Sequence, residues 1–218
     1  QENPYSTEPA RVNAYALDDE YATWQVGGHV QLTHTLGRWQ WTVGGRLDRF
    51  AAAAVTRVAP RASLAFAASP RLQLSLSAGR YHQLPGLVFL RAHPDNARLA
   101  QMLADHLVAG LAWTPRPDLR VTLEAYGKRY ERYPVSRDFT AVSLANLGDA
   151  YDTSLFLGPL IGTGTGRARG IEVNAQKKLG RRLYGQASYA YARSQHRAKD
   201  GVLRPGRFDL PHVATLGG

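Results

Sequence analysis

The residues that could bind a metal ion in this chain are its seven histidines, because the sequence contains no cysteine. A transition-metal site needs several such ligands at a spacing that brings them to one place. On a strand, His29 and His34 would lie on opposite faces, since successive side chains alternate. His82, His93 and His106 show no recurring spacing. We therefore interpret the histidines as polar side chains of the surface or interior, and we expect no metal site and no cofactor.

Residues 162–166 alternate glycine with threonine and superficially resemble a loop that cradles phosphate. Such a loop follows a parallel strand and opens a helix, and neither pattern flanks this segment, so we predict a flexible outer loop. No Ser-His-Asp set and no pair of carboxylates has a spacing that would bring its members together. A chain without cysteine also has no thiolate nucleophile. The sequence therefore predicts a protein that is not an enzyme.

Aromatic and positively charged residues occur together in two of the predicted loop regions. Aromatic faces and guanidinium groups suit an anionic ligand such as a metal chelate. The net charge of +10 also favours anionic partners, although the charges are scattered along the chain and we expect no nucleic-acid partner. We hypothesise that these loop residues bind a small anionic ligand. They are Tyr81, His82, Arg91, His93, Tyr130, Arg132 and Tyr133.

Most of the chain alternates apolar and polar residues with the period of a β-strand. In residues 72–80 the leucines face one way and small polar residues face the other, and residues 119–129 repeat the pattern with more charge. Weaker strands are expected near Arg11 and at His212. No apolar run approaches the roughly 20 residues of a membrane helix. Further strands are expected within 24–33, 39–48, 61–66, 106–114, 171–176 and 183–194.

Short and long connections alternate between these strands. The short ones consist of turn-forming residues and lie at Leu36–Arg38, Ser69–Arg71, Pro115–Asp118 and Gly180–Arg182. The longer loops are expected at 51–58, 82–104, 131–166 and 196–211. This alternation places the tight turns at one end of the sheet and the long loops at the other, as in outer-membrane barrels.

Alternating strands also occur in a soluble β-sandwich, but two features favour a membrane barrel. Several predicted strands have about 9 to 12 residues, which matches a tilted membrane strand better than a soluble one. Aromatic residues gather near the strand ends, as in the girdles at the two bilayer interfaces. The predicted girdle residues are Trp39, Trp41, Trp113, Tyr184, Phe50 and Tyr126. We predict an all-β, antiparallel, up-and-down transmembrane β-barrel, with about ten strands in this chain.

Charged residues on the polar side of these strands are expected to point into the barrel lumen. A charge on the lipid side near the bilayer midplane would cost roughly 2 to 4 kcal/mol. In the lumen they could be solvated and paired with one another, or they could contact a plug domain or line the path of a ligand. The predicted lumen-facing residues are Arg46, Asp48, Arg61, Arg120, Glu124, Lys128 and Glu172.

Short segments in a fixed order resemble the barrel domain of TonB-dependent outer-membrane receptors. Gly45–Asp48 is similar to the Gly-x-Arg-x-Asp strand of that family, and Gly79–Pro85 resembles a strand that leaves the membrane through Tyr, Gln and Pro. The following loop departs from the family pattern, since Asn96–Leu99 lacks its Asn-Pro. Nothing in the chain resembles the plug or the energy-coupling box. The other similar segments are Pro60–Leu64, Glu124–Tyr130, Arg169–Val173 and Phe208–His212.

The resemblance implies a receptor in the cell outer membrane that takes up a scarce ligand, such as a ferric siderophore or cobalamin, with energy from the inner-membrane TonB complex. Such a protein would contact outer-membrane lipid, lipopolysaccharide and a small-molecule ligand. We expect residues 1–218 to form part of a plugged barrel of about 22 strands, without the plug domain. A passive porin-like channel and a soluble β-sandwich binding domain are the alternatives.

Overall fold

The computed structural model of this chain describes residues 20, 22–146, 158–180, 183–207 and 209–218. Within them the chain forms one sheet of ten strands, in which each strand from the first to the eighth pairs antiparallel with the next and the last two pair with the eighth. This confirms the all-β, up-and-down architecture. The strand predicted near Arg11, the turn residues Arg181 and Arg182, and Phe208 lie outside the described residues. The strands are β1 (Gln25–Leu36), β2 (Trp39–Phe50), β3 (Val55–Ser69), β4 (Leu72–Gln83), β5 (Met102–Arg116), β6 (Leu119–Ser136), β7 (Leu160–Lys177), β8 (Gly185–Arg197), β9 (Leu203–Pro205) and β10 (His212–Gly217).

The pairing of the strands defines two faces, because directly opposed residues of neighbouring strands lie on the same side. Leu76 of β4 is opposed by Leu64 of β3 and by Ala109 of β5. The same row continues through Ala125 of β6 and Ile171 of β7. We call this side the apolar face and the other side the polar face. A slip of one residue would exchange the two faces, so the apolar rows hold the strands in register.

The apolar face carries no second protein layer within the described residues. Leu76, Leu123 and Ile171 expose 49%, 40% and 50% of their surfaces, whereas the inner face of a sandwich is covered by its second sheet. The alternative of a soluble β-sandwich is therefore wrong for this part of the chain.

Three of the four predicted short turns lie where they were predicted, and the long connections are shorter than predicted. Turns at 37–38, 70–71 and 117–118 join successive strands. The predicted loop 51–58 is a turn over 51–54, since β3 begins at Val55. The predicted loop 131–166 shrinks because β6 continues to Ser136 and β7 already begins at Leu160. Pairing with a neighbour lets a strand extend through residues that carry no alternation of their own.

Residues 162–166 lie inside β7, so the prediction of a flexible loop there is wrong. Gly164 is opposed to Tyr133, and Gly166 to Tyr130, across the pair of β6 and β7. A Cβ atom at Gly164 would lie 2.7 Å from the carbonyl oxygen of Tyr133. The register shifts twice at this place, and glycine is required because the two backbones approach so closely.

A small core of buried apolar side chains lies at the long-loop end. The connection between β4 and β5 contains a short helix, α1 (Leu87–Ala92), and a 3₁₀ turn at Pro94–Arg98, where a loop without regular structure was predicted. Leu90, Leu99 and Leu160 are buried together there. No helix in the described ranges is both long and apolar enough to span a membrane.

Asn96 joins two of the long connections. Its side-chain amide donates to the carbonyl oxygens of Phe89 at 2.8 Å and of Gly158 at 3.1 Å. Its Oδ1 accepts a hydrogen bond of 2.7 Å from the N–H of Leu160. The described parts of the connections between β4 and β5 and between β6 and β7, which leave out residues 147–157, thus form one packed unit that we call the loop cap.

Candidate functional site

The charged residues predicted to face the lumen share the polar face of the sheet. Glu124 of β6 is opposed by Glu172 of β7, and Lys128 of β6 is opposed by His106 of β5. Because side chains alternate along each strand, the other four predicted residues lie on the same side. The predicted lumen-facing residues that lie on this face are Arg46, Asp48, Arg61, Arg120, Glu124, Lys128 and Glu172.

Four aromatic side chains form a continuous row across β4, β5 and β6 on the polar face. The ring centroids of Tyr81 and His106 are 4.6 Å apart. Those of His106 and Tyr130 are 6.4 Å apart, and those of Tyr130 and Tyr133 are 5.8 Å apart. Side chains of this size reach diagonal neighbours on adjacent strands, and edge-to-face contacts stabilise them. We call Tyr81, His106, Tyr130 and Tyr133 the aromatic row.

Tyrosine rings lie against the polar face because glycines leave room for them. A Cβ atom at Gly79 would lie 3.0 Å from the hydroxyl of Tyr81, and one at Gly170 would lie 2.7 Å from the ring of Tyr126. Gly170 is directly opposed to Tyr126 across the strand pair. A ring that covers a glycine in this way is held in place by the sheet itself. The rings therefore present a fixed surface to a ligand.

Two cations stand over these rings. The guanidinium carbon of Arg61 lies 5.8 Å from the ring centroid of Tyr81, and Nζ of Lys128 lies 5.0 Å from that of Tyr126. A cation within about 6 Å of a ring centroid is attracted to its face. Two shallow depressions, of about 180 Å³ and about 310 Å³, both border Tyr81 and His106. This arrangement can hold a small ligand that is both flat and negatively charged.

The pair of Arg46 and Asp48 differs from the other charges of the polar face because its members neutralise each other. Arg46 Nε donates to Asp48 Oδ2, and Arg46 Nη2 to Asp48 Oδ1, each at 2.7 Å. Gln25 of β1 adds a longer bond of 3.4 Å to Oδ1. A Cβ atom at Gly27 would lie 2.2 Å from that same oxygen. The pair therefore occupies the space above Gly27 and ties β1 to β2.

Known proteins resemble this chain in sequence pattern and in fold. The family model of the TonB-dependent receptor-like β-barrel matches residues 1–217. The chain belongs to the TonB-dependent receptor family. TonB-dependent receptors are transporters rather than enzymes, in agreement with the predicted lack of enzymatic activity. No curated protein shows significant similarity to the chain.

Solved structures of outer-membrane transporters share the fold of this receptor barrel. The FrpB iron transporter from Neisseria meningitidis matches with a TM-score of 0.59 at 13% identity, over 84% of this chain and 29% of that chain. The transporter YddB from Escherichia coli matches with a TM-score of 0.64 at 11% identity, over 88% and 30%. The ferripyoverdine receptor of Pseudomonas aeruginosa, bound to ferripyoverdine, matches with a TM-score of 0.63 at 12% identity, over 88% and 25%. The chain thus spans between 25% and 30% of these receptors, and the similarity concerns the fold.

The receptor barrel brings together three of the predicted ligand residues. Tyr81, Tyr130 and Tyr133 all belong to the aromatic row. His82 follows Tyr81 on β4, so it points to the apolar side, where it is opposed to Leu103. The alternation of side chains along a strand separates these two neighbours, whereas the sequence prediction groups them as loop residues.

The remaining predicted ligand residues lie apart from the aromatic row. Arg91 is in the last turn of α1, and the ring of His93 accepts a hydrogen bond of 3.2 Å from the N–H of Asp95. Both residues therefore belong to the loop cap. Arg132 has a φ of 60° at the register shift between Tyr130 and Tyr133, which takes it out of the regular alternation of β6.

His106 is the member of the aromatic row that sequence reasoning missed. Its alternation with Leu107 on β5 indicates the polar face, but its contact with Tyr81 depends on the pairing of β4 with β5. Within the described residues, no group of three His, Asp or Glu side chains could hold a metal ion. His106 is therefore of interest as an aromatic ring beside the tyrosines.

The aromatic residues predicted for the membrane interfaces divide between the two faces. Phe50 and Tyr126 alternate in phase with Asp48 and Glu124, so they lie on the polar face, and Phe50 is only 5% exposed. These two cannot form a girdle on the apolar face, because the pleat of the strand turns them away from it. The others lie on the apolar face or beside it at the short-turn end: Trp39, Trp41, Trp113 and Tyr184.

Proposed function

We propose that this chain is part of the wall of a receptor that takes up a scarce anionic ligand across the outer membrane. The observation that carries the proposal is the aromatic row with Arg61 beside it on the polar face. Such rings and a guanidinium group recognise a flat, negatively charged chelate. Two similar structures are described as an iron transporter and as a receptor bound to ferripyoverdine, which favours a ferric siderophore over cobalamin as the ligand.

In this proposal the apolar face contacts lipid and the polar face lines a closed barrel of about 22 strands. The exposed side chains of the apolar face are then removed from water, and closure satisfies the backbone hydrogen bonds of the edge strands. The loop cap lies outside the cell and the short turns lie in the periplasm, as in other outer-membrane barrels. Outer-membrane lipid and lipopolysaccharide are therefore proposed partners.

The polar face would also contact the plug domain through which the TonB complex supplies energy. Glu124 and Glu172 are directly opposed, and neither carboxylate pairs with a cation among the described residues. Opposed like charges destabilise a sheet, so a positively charged partner is expected for them. A basic side chain of the plug would supply that charge.

Binding of ferripyoverdine and of cobalamin to the intact receptor tests the proposed function. Replacing His106 and Tyr130 by leucine removes the middle of the aromatic row. We expect binding of one of these probes to weaken by about tenfold or more, because each aromatic contact contributes on the order of 1 kcal/mol. Fluorescence quenching on titration measures the affinity.

Tyr189→Leu is the matched control, because Tyr189 lies on the apolar face, opposed to Val173. This variant should bind the probe as the wild type does. Failure of the intact receptor to bind either probe, or unchanged binding by the double variant, would contradict the proposed ligand site.

Electrical recording in planar bilayers separates the proposed receptor from a passive channel. A receptor whose interior is filled by a plug should be nearly silent, whereas a porin conducts ions through its water-filled interior. Steady conductance of the intact protein in the absence of the TonB complex would contradict energy-coupled uptake.

A further inference from the structure

Arginines interrupt the apolar face at its long-loop end. Arg129 of β6 is directly opposed by Arg167 of β7, and Arg169 of β7 is directly opposed by Arg193 of β8. Arg167 and Arg169 are separated from Ile171 by an even number of residues along β7, so they lie on the apolar face with it. Their directly opposed partners Arg129 and Arg193 lie on the same face. We call Arg129, Arg167, Arg169 and Arg193 the arginine cluster.

Two of these guanidinium groups have carboxylate partners. Arg129 Nη2 lies 2.9 Å from Glu131 Oε1, and Arg193 Nε lies 3.0 Å from Asp209 Oδ2. Like charges that are directly opposed across strands destabilise a sheet. Two such pairs side by side are therefore costly unless every guanidinium group is neutralised.

The other two guanidinium groups have no carboxylate partner among the described residues. Arg167 donates to the side-chain oxygen of Gln195 at 2.9 and 3.1 Å, and this acceptor is neutral. Arg169 is exposed and makes no hydrogen bond or ion pair within the described part of the chain. The neighbouring Arg80 and Asp105 pair with each other at 2.7 and 2.8 Å. Asp105 is also directly opposed to Arg129, on the side away from Arg167. Counting Arg80 and Asp105 with the cluster, five guanidinium groups meet three carboxylates, and an excess of two positive charges remains.

The position of the cluster indicates which anion it binds. Ile171 and Tyr191 form the next opposed pair towards the short turns, and from there the apolar rows of β7, β8 and β10 carry no lysine or arginine until Lys177 at the end of β7. The cluster therefore stands where contact with hydrocarbon ends, at the level of the lipid headgroups. Guanidinium groups match the geometry of phosphate oxygens and can bind them in pairs. Solvation alone would satisfy single arginines, but it does not account for their direct opposition.

We propose that the arginine cluster binds the phosphate groups of lipopolysaccharide in the outer leaflet. The phosphates neutralise Arg167 and Arg169 and relieve the repulsion between the opposed pairs. The acyl chains of the same molecule then lie along the apolar rows that begin at Ile171. The inference rests on the proposed function for the orientation of the barrel in the membrane, and it is independent of the transported ligand.

Binding of diphosphorylated lipid A to the intact receptor in neutral detergent tests this site. The double variant Arg167→Gln, Arg169→Gln should bind lipid A about tenfold more weakly or worse, since each basic residue at a membrane surface contributes on the order of 1 kcal/mol to the attraction of anionic lipid. Native mass spectrometry measures the bound fraction, and the lipid-dependent rise in unfolding temperature should be lost in parallel. Dephosphorylated lipid A should bind the variant and the wild type equally.

A control variant removes the same charge from the short-turn end. The double variant Arg71→Gln, Arg116→Gln should bind lipid A as the wild type does, because these residues lie at the opposite ends of the strands. Equal binding by the cluster variant, or an equal loss in this control, overturns the proposal. Phosphatidylglycerol binding as tightly as lipid A also overturns it, because the site would then recognise anionic charge in general.

Ferripyoverdine binding by the same samples separates this inference from the proposed function. The cluster variant should retain it, because the aromatic row lies on the other face of the sheet. A wild type that binds lipid A through the cluster but takes neither siderophore nor cobalamin would contradict the proposed ligand only.

Discussion

On the polar face Arg46 and Asp48 neutralise each other at 2.7 Å, whereas on the apolar face Arg129 stands directly opposite Arg167. The first pair is completed within the chain, by two residues of one strand over Gly27. The second has no such completion among the described residues, and in the proposed orientation it would face the headgroups of the surrounding lipid. Unmatched charge in a sheet of this kind therefore indicates where another molecule is required.

Glu124 and Glu172 extend this comparison to the polar face. They are opposed in the same way as the arginines but carry the opposite charge. In the proposed receptor, a cation of the plug would neutralise the polar face and an anion of the lipid leaflet would neutralise the apolar face. The following substitutions test whether the two faces differ in this way.

The largest effect is expected from a charge placed on the apolar face far from the arginine cluster. Leu76→Arg should lower the free energy of unfolding by roughly 2 to 4 kcal/mol in lipid vesicles, because its guanidinium group would enter hydrocarbon. Ser77→Arg, one residue further on the polar face, should cost much less. Urea titration of both variants in vesicles measures the difference, and equal losses would show that the apolar face does not contact lipid.

A smaller effect is expected from a methyl group placed beneath the neutralised pair. Gly27→Ala should cost about 1 to 3 kcal/mol, because its Cβ would lie 2.2 Å from Asp48 Oδ1 and force the ion pair to move. Gly28→Ala is the control, since nothing lies within 4 Å of a Cβ atom there. Unfolding free energies of the two variants should therefore differ, and similar values would count against a pair that fills this space.

A still smaller effect, of opposite sign, is expected in the arginine cluster. Without lipid A, Arg167→Gln should raise the free energy of unfolding by about 0.2 to 1 kcal/mol, because it removes a like charge opposed to Arg129. Arg129→Gln should bring no such gain, since it also breaks the ion pair with Glu131. Thermal unfolding in neutral detergent compares the two, and destabilisation by Arg167→Gln would remove the evidence for repulsion.

The smallest effect concerns an ion pair at the long-loop end that is independent of both faces. Arg204 hydrogen-bonds Asp200 at 2.6 and 2.9 Å and lowers the pKa of that carboxyl. A carboxyl whose pKa is lower in the folded state contributes stability above its unfolded pKa of about 3.9, and this is lost as the pH falls through the lowered value. The difference in unfolding temperature between the wild type and Asp200→Asn should therefore stay constant from neutral pH to about pH 5 and shrink under stronger acid. A difference that grows on acidification would contradict this sign.

Period-two alternation alone predicted which residues share a face, as for Arg61 and Glu172 on the polar face. The alternation failed to predict the role of a residue where that role depends on the paired strand. The sequence predicts that Gly164 and Gly166 lie in a flexible loop. In the structure they belong to β7 and provide space for Tyr133 and Tyr130 of the adjacent strand. Loop boundaries were misplaced for the same reason, since pairing carries β6 and β7 beyond their alternating segments.

The sequence by itself determined the alternating segments of the strands, three tight turns and the side to which the residues of those segments point, because these depend on neighbours along the chain. Only the tertiary structure decided that Tyr81 meets His106 and that charges scattered along the sequence stand opposed as Arg129 and Arg167. Those contacts depend on how far one strand is displaced along the next. That displacement is set by hydrogen bonds between distant segments, and spacing within a single segment does not contain it.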